Sequence, residues 1–149
     1  MVSKARAFDP ATGQGFWLAF TPSPGMGERA ERHLMRDLED HLAQVGLRID
    51  GGTQRHLYIR GTERELTLAD QIDLVDWLLL RTTVARIDVT EFTDDATRIP
   101  VTSKVMRVGR WDLATLGVGL LYRIGRIKPE LYAEILGGFV DEPNRELFA

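Results

Sequence analysis

The apolar residues between Gly15 and Thr93 change their spacing in a fixed order, and that order dictates strand, helix, strand, strand, helix, strand. Phe16-Trp17-Leu18-Ala19-Phe20 is a short aromatic-rich run that ends at Thr21-Pro22-Ser23-Pro24-Gly25, a strand followed by a loop, with Phe16, Leu18 and Phe20 on one face. From about Gly27 to Val45, Ala30, Leu34, Leu38 and Leu42, joined by Met35 and Val45, form one helical stripe. Glu28, Arg29, Glu31, Arg32, Arg36, Asp37, Glu39 and Asp40 cover the rest as a mixed, solvated surface, and Gly46 supplies the left-handed residue that ends such a helix.

Leu47-Arg48-Ile49-Asp50 and Leu57-Tyr58-Ile59-Arg60 alternate as strands around Gly51-Gly52, a hairpin with a loop longer than two residues. Thr67 with Asp70 three residues on is an N-terminal capping pair, and Leu68, Ile72, Val75 and Leu79 make a second helical stripe. Val84 to Val89 closes the pattern as a strand. Two one-sided helices and four alternating strands satisfy one another when both helices cover one face of an antiparallel sheet. The expected fold is therefore an α+β, ferredoxin-like βαββαβ sandwich over residues 1–97. Beyond Asp94-Asp95 the pattern predicts a short strand at Ile99-Pro100-Val101 and helices over Trp111–Ile124 and Pro129–Gly137. Residues 98–149 thus read as a basic, mainly helical C-terminal extension packed on the same domain. Gly117 and Gly119 weaken the first of its helices or admit a close neighbour.

Cysteine is absent, which excludes a disulfide framework, a thiolate zinc site, an iron–sulfur cluster and a cysteine nucleophile, and fits a cytoplasmic location. The longest apolar runs, such as Leu116 to Tyr122, are far short of the roughly 20 residues of a membrane span. The first residues show no secretory signal. Charge is unevenly distributed: residues 1–97 carry 11 Lys/Arg against 16 Asp/Glu, whereas residues 98–128 carry seven basic residues against Asp112 alone. Such a local surplus marks a surface for an anionic partner.

Chemistry-bearing motifs are few. Gly25-Met26-Gly27-Glu28-Arg29-Ala30 fits the dinucleotide pattern G-x-G-x-x-A, with Asp50 placed as a ribose-binding acid. Glu28 would repel a pyrophosphate there, and a plain loop-to-helix junction is the better reading. His33, Asp37 and His41, spaced by four, could line one helix face as metal ligands, against the simpler alternative of an exposed flank. Ser3, Ser23 and Ser103 lack a nucleophile context, and Asp70, Asp73 and Asp76 mark the outer side of a helix. No catalytic, cofactor or metal site is assigned. The basic window supplies the candidate nucleic-acid contacts Lys104, Arg107, Arg110, Trp111, Arg123, Arg126 and Lys128, pairing phosphate neutralisation with aromatic stacking. Their alternative role is internal, capping helices or pairing with the acidic first half.

Several features of residues 15–89 resemble the YggL-like family of bacterial 50S ribosome-binding proteins. They are Gly15-Phe16 opening the first strand, Asp37-Leu38, Gly46-Leu47 leading to Gly51-Gly52, Tyr58-Ile59-Arg60-Gly61, and Leu66-Thr67 to Val75-Asp76-Trp77-Leu78 before Val84 and Val89. The resemblance covers about half of the chain and implies the βαββαβ fold and a ribosomal partner. The basic N-terminal arm of that family is represented only by Lys4 and Arg6, and no binding residue is carried over. The expectation is a small, non-enzymatic cytoplasmic binding protein whose partner is the ribosome or another RNA. The alternative is a protein-directed inhibitor of immunity-protein or antitoxin type, covering a basic partner with the acidic first half. A nucleotide-dependent enzyme ranks behind both. The run Leu116 to Leu121 is core or, alternatively, a homodimer contact.

Overall fold

The structure, a computed structural model, describes residues 14–100, 103–109 and 113–141, with the side chains of 113–116 excepted. It is α+β: a five-stranded antiparallel sheet with helices packed on one face. In chain order the elements are β1 (Phe16–Pro22), α1 (Glu28–Gln44), β2 (Leu47–Gly52), β3 (His56–Gly61), α2 (Leu68–Leu79), β4 (Val84–Thr90), β5 (Val105–Gly109), α3 (Leu113–Arg123) and α4 (Pro129–Ile135). The strands lie in the order β2-β3-β1-β4-β5. The first four strands have the order of a ferredoxin-like sandwich, and β5 extends the sheet at the β4 edge.

β1 is central because it alternates with large residues on the inward side. Phe16, Leu18 and Phe20 face the helices, where they meet Leu34, Leu38 and Leu42 of α1 and Ile72, Val75 and Leu78 of α2 in one buried core. The partners of β1 keep the same phase: Leu18 stands opposite Leu57 on β3 and Val89 on β4, and Phe20 opposite Ile87. Burial of such side chains is worth about 1.5–3 kcal/mol each, so phase and register reinforce one another. α2 starts where the sequence places it. Thr67 and Asp70 form a reciprocal capping box, and Arg64 grips the same Asp70 carboxylate at 2.8 and 2.9 Å. Gly46 adopts φ +77° immediately after α1, the left-handed conformation expected of it.

Two expectations need correction. The short strand does not lie at Ile99-Pro100, which are outside any strand, while Val101 lies outside the described residues. The strand is Val105–Gly109 instead, whose Met106 and Val108 fill the core and pair opposite Val89 and Ile87. Its apolar alternation was obscured by Arg107, which points to the opposite face. Second, Gly51-Gly52 lie within β2 and do not break it: the strand bulges there, with Gly52 at φ +104° pairing with Leu57 out of step with Ile49 and Ile59, and the hairpin loop, residues 53–55, is longer than two as expected. The C-terminal helices do follow, and α4 buries Tyr132, Ala133 and Leu136 in the same core.

The segment after β4 folds back over the outer side of the sheet. Gly15 and Thr93 exchange backbone hydrogen bonds of 2.9 and 2.8 Å, Tyr58 Oη donates to the Thr93 carbonyl at 2.5 Å, and Trp17 Nε1 donates to the Asp95 carbonyl at 3.0 Å. Gly15 is required for this closure: a Cβ there would stand 2.2 Å from the Ile59 carbonyl oxygen and 2.8 Å from the Tyr58 ring. Gly15→Ala is expected to lower stability by about 1–3 kcal/mol, the usual cost of overpacking, read from the urea midpoint. A midpoint equal to that of the parent would show that the closure is loose.

Candidate nucleic-acid interface

Because β-strand side chains alternate, the residues between the core positions share the outer face of the sheet. On that face Trp17 and Tyr58 lie side by side on the two central strands, with ring centroids 5.4 Å apart. To one side, Asp50 sits between Arg48 (3.6 Å) and Arg60 (3.3 Å). To the other, Asp88 on β4 sits between Arg86 (3.3 Å) and Arg107 of β5 (3.0 Å). Each cluster therefore sets two guanidiniums around one carboxylate. Arg48, Arg86 and Arg107 are each about one-third exposed, whereas Asp88 is buried. Burial pushes the Asp88 carboxyl above its usual range, and the two flanking guanidiniums oppose that effect without reversing it.

Trp17 and Tyr58 themselves are covered by the Thr93–Asp95 segment, so they are not a platform for stacking bases. Arg60 contributes a cation–π contact to Tyr58, its guanidinium carbon 5.2 Å from the ring centroid. What the face presents to a ligand is the partly exposed arginines Arg48, Arg86 and Arg107.

The residues singled out in the basic window are dispersed. Arg107 belongs to the outer face through Asp88. Arg123 is drawn inward, donating to both oxygens of Asp76 at 2.9 and 3.1 Å, and Tyr132 Oη donates to the same carboxylate at 2.8 Å. These two arginines take the internal, pairing role that the acidic first half offered. Lys104, Arg126 and Lys128 are exposed, and Arg110 and Trp111 lie outside the described residues. Gly119 makes room for this cluster, since a Cβ would stand 2.9 Å from Tyr132 Oη, whereas Gly117 faces open space. Tyr122 Oη donates to Asp73. The phenols of Tyr122 and Tyr132 are both pushed up, first by burial and then by these carboxylates.

The histidine alternative fails on geometry. His41 stacks on Trp77 in the seam between α1 and α2, with centroids 4.6 Å apart and planes 10° apart, while His33 and Asp37 are exposed. Among the described residues no group of three His, Cys, Asp or Glu side chains is placed to hold a metal ion. Burial, with Arg81 nearby, lowers the His41 pKa. Arg81 lies over Trp77 at 3.9 Å, and the adjoining cleft of about 330 Å³ takes its carboxylates from Asp70, Asp73 and Asp76, all engaged as acceptors. The dinucleotide alternative fails on topology: β1 pairs antiparallel with β3 and β4, and Asp50 is held on the outer face by Arg48 and Arg60. A dinucleotide fold needs parallel neighbours at that crevice. Gly27 is simply the N-cap of α1.

Comparison with protein-family models, with curated proteins and with solved structures finds no match. Among the described residues no helix is long and apolar enough to cross a membrane.

Sequence reasoning missed the outer-face clusters, although the signal was present. Arg48 and Asp50, and Arg86 and Asp88, each stand two residues apart in strands, and period two puts each pair on one face. A third carboxylate ties the hairpin to α1: Glu31 accepts from Arg55 Nε and Nη2, both at 2.8 Å. The bond to Arg55 holds Glu31 below the usual carboxylate range, although burial works against it. A depressed carboxylate stabilises the fold above its unfolded pKa, and that contribution is lost as pH falls through the lower folded value. In Arg55→Gln the part of the stability loss below about pH 4.3 that belongs to Glu31 should shrink, seen as a flatter dependence of the urea midpoint on pH. An unchanged slope would mean the pair contributes nothing to acid lability.

Proposed function

We propose that this chain is a non-enzymatic binding protein that associates with RNA through the outer face of its sheet, by contacts to phosphates and with little discrimination between bases. The observation that carries the reading is the pair of Arg–Asp–Arg clusters on one face of the sheet, with Arg48, Arg86 and Arg107 each about one-third exposed, flanking an aromatic pair that is already covered. Arginine suits this role because its planar fork matches phosphate oxygens. The carboxylates that an acid–base mechanism would need, Glu31, Asp70, Asp76 and Asp88, serve as acceptors for arginine and tyrosine donors. The ribosomal form of the proposal rests on the YggL-like resemblance of residues 15–89.

The test removes one arginine of each cluster while leaving its carboxylate a partner. Arg48→Gln with Arg86→Gln keeps Arg60 on Asp50 and Arg107 on Asp88. With a short single-stranded RNA of mixed sequence, the slope of log K against log salt should fall by about 0.7 for each phosphate that is no longer neutralised. A parent protein that binds no RNA at about 50 mM salt would end the proposal, and so would a variant with an unaltered slope. Sedimentation with large ribosomal subunits at low salt, disappearing as salt rises, is the result expected of the ribosomal form.

A further inference from the structure

The rest of the surface holds one more concentration of positive charge, on the opposite side of the molecule. Arg29, Arg32, His33 and Arg36 recur at three and four residues along α1, all exposed, and they line a hollow of about 200 Å³. By helical period this ridge points directly away from Leu34, Leu38 and Leu42, which pack into the core. The sheet lies beyond that core, with its arginine clusters on the far face. The ridge and the clusters are therefore back to back.

These arginines differ from most others in the described residues. Arg48, Arg55, Arg60, Arg64, Arg86, Arg107 and Arg123 all have carboxylate partners within 4 Å, whereas Arg29, Arg32 and Arg36 make no ion pair or hydrogen bond with the described residues. Glu28 lies to one side of the ridge, Asp37 to the other, and Asp40 one turn beyond Arg36, so the positive strip is narrow and bounded. From Arg29 to Arg36 it spans about 10 Å at 1.5 Å per residue. A row of guanidiniums of this length can follow successive phosphates along one strand. An acidic protein surface is a poorer fit, because carboxylates on a folded partner are irregularly placed, whereas the phosphates of a strand repeat regularly and suit a regular row of guanidiniums. A membrane is poorer still: the apolar stripe of α1, which would have to insert, is in the core.

We propose that the Arg29–Arg32–His33–Arg36 ridge is a second phosphodiester contact, and that one molecule joins two RNA segments, one on the sheet and one on α1. This rests on the RNA reading of the sheet face, and the experiment separates the two. Two short single-stranded RNAs of mixed sequence, one bearing a donor and the other an acceptor fluorophore, are mixed with the full chain at about 50 mM salt, and energy transfer reports a ternary complex. The parent should give transfer that disappears as salt rises. Arg29→Gln, Arg32→Gln and Arg36→Gln together, all at exposed sites that the fold does not use, should abolish transfer while the affinity for the first RNA changes by no more than about twofold, as for distant sites. Transfer retained in that variant, or a parent that saturates with one RNA, overturns the ridge and leaves the sheet reading standing. Transfer suppressed as readily by a polyglutamate peptide as by unlabelled RNA overturns the phosphate assignment. No RNA bound at all removes both proposals together.

Discussion

The phase of β1 is the constraint on which the rest of the molecule depends. This strand is hydrogen-bonded on both sides, so its alternation fixes the registers of β3 and β4 at once, and through them those of β2 and β5. A slip of one residue would turn Phe16, Leu18 and Phe20 outward and bring Trp17 and Thr21 into the core. It would also interchange the arginine-bearing and helix-bearing faces. The segregation of charge onto one side of the sheet is thus a by-product of burying three side chains on the other.

The second organising principle is the way acidic groups are distributed among arginines. Glu31 holds the β2–β3 hairpin to α1 through Arg55, Asp70 joins the loop before α2 to the helix it caps through Arg64, and Asp76 joins α3 and α4 to α2. Each pairs a largely buried carboxylate with a partly exposed arginine. Their effect is on placement: Glu31 and Asp76 tie elements that are remote in sequence, and Asp70 fixes the loop against the helix it precedes. An acidic total charge is consequently compatible with cationic surfaces: many of the carboxylates are internal fasteners, and the arginines left over define where positive charge is presented.

The architecture was legible in the sequence wherever one period dominated. The stripe Leu34, Leu38, Leu42 and the alternation Phe16, Leu18, Phe20 each admit one element type, and the Thr67–Asp70 pair marked the start of α2. β5 was not legible at Ile99–Val101 because Pro100 and its apolar neighbours imitate an edge strand, whereas Val105-Met106-Arg107-Val108 carries a charge in its middle. The site was less legible than the fold. Counting charge along the chain grouped Arg107, Arg123 and Arg126, but the fold separates them: Arg123 pairs with Asp76, Arg107 belongs to the sheet, and Arg126 stays in solvent. Conversely Arg48 and Arg86, far apart in sequence and set among acids, gain meaning only when the strand order brings them to one face.

Asp76 has a mechanical consequence. A single buried carboxylate accepts hydrogen bonds from α3, through Arg123, and from α4, through Tyr132, and Gly119 is kept bare to let them converge. Two helices that share an acceptor are coupled through it: a change at Asp76 reaches α3 and α4 together, although Tyr122 on Asp73 gives α3 a second hold on α2. The core residues Tyr132, Ala133 and Leu136 of the α4 region thus sit behind a contact that α3 helps to keep.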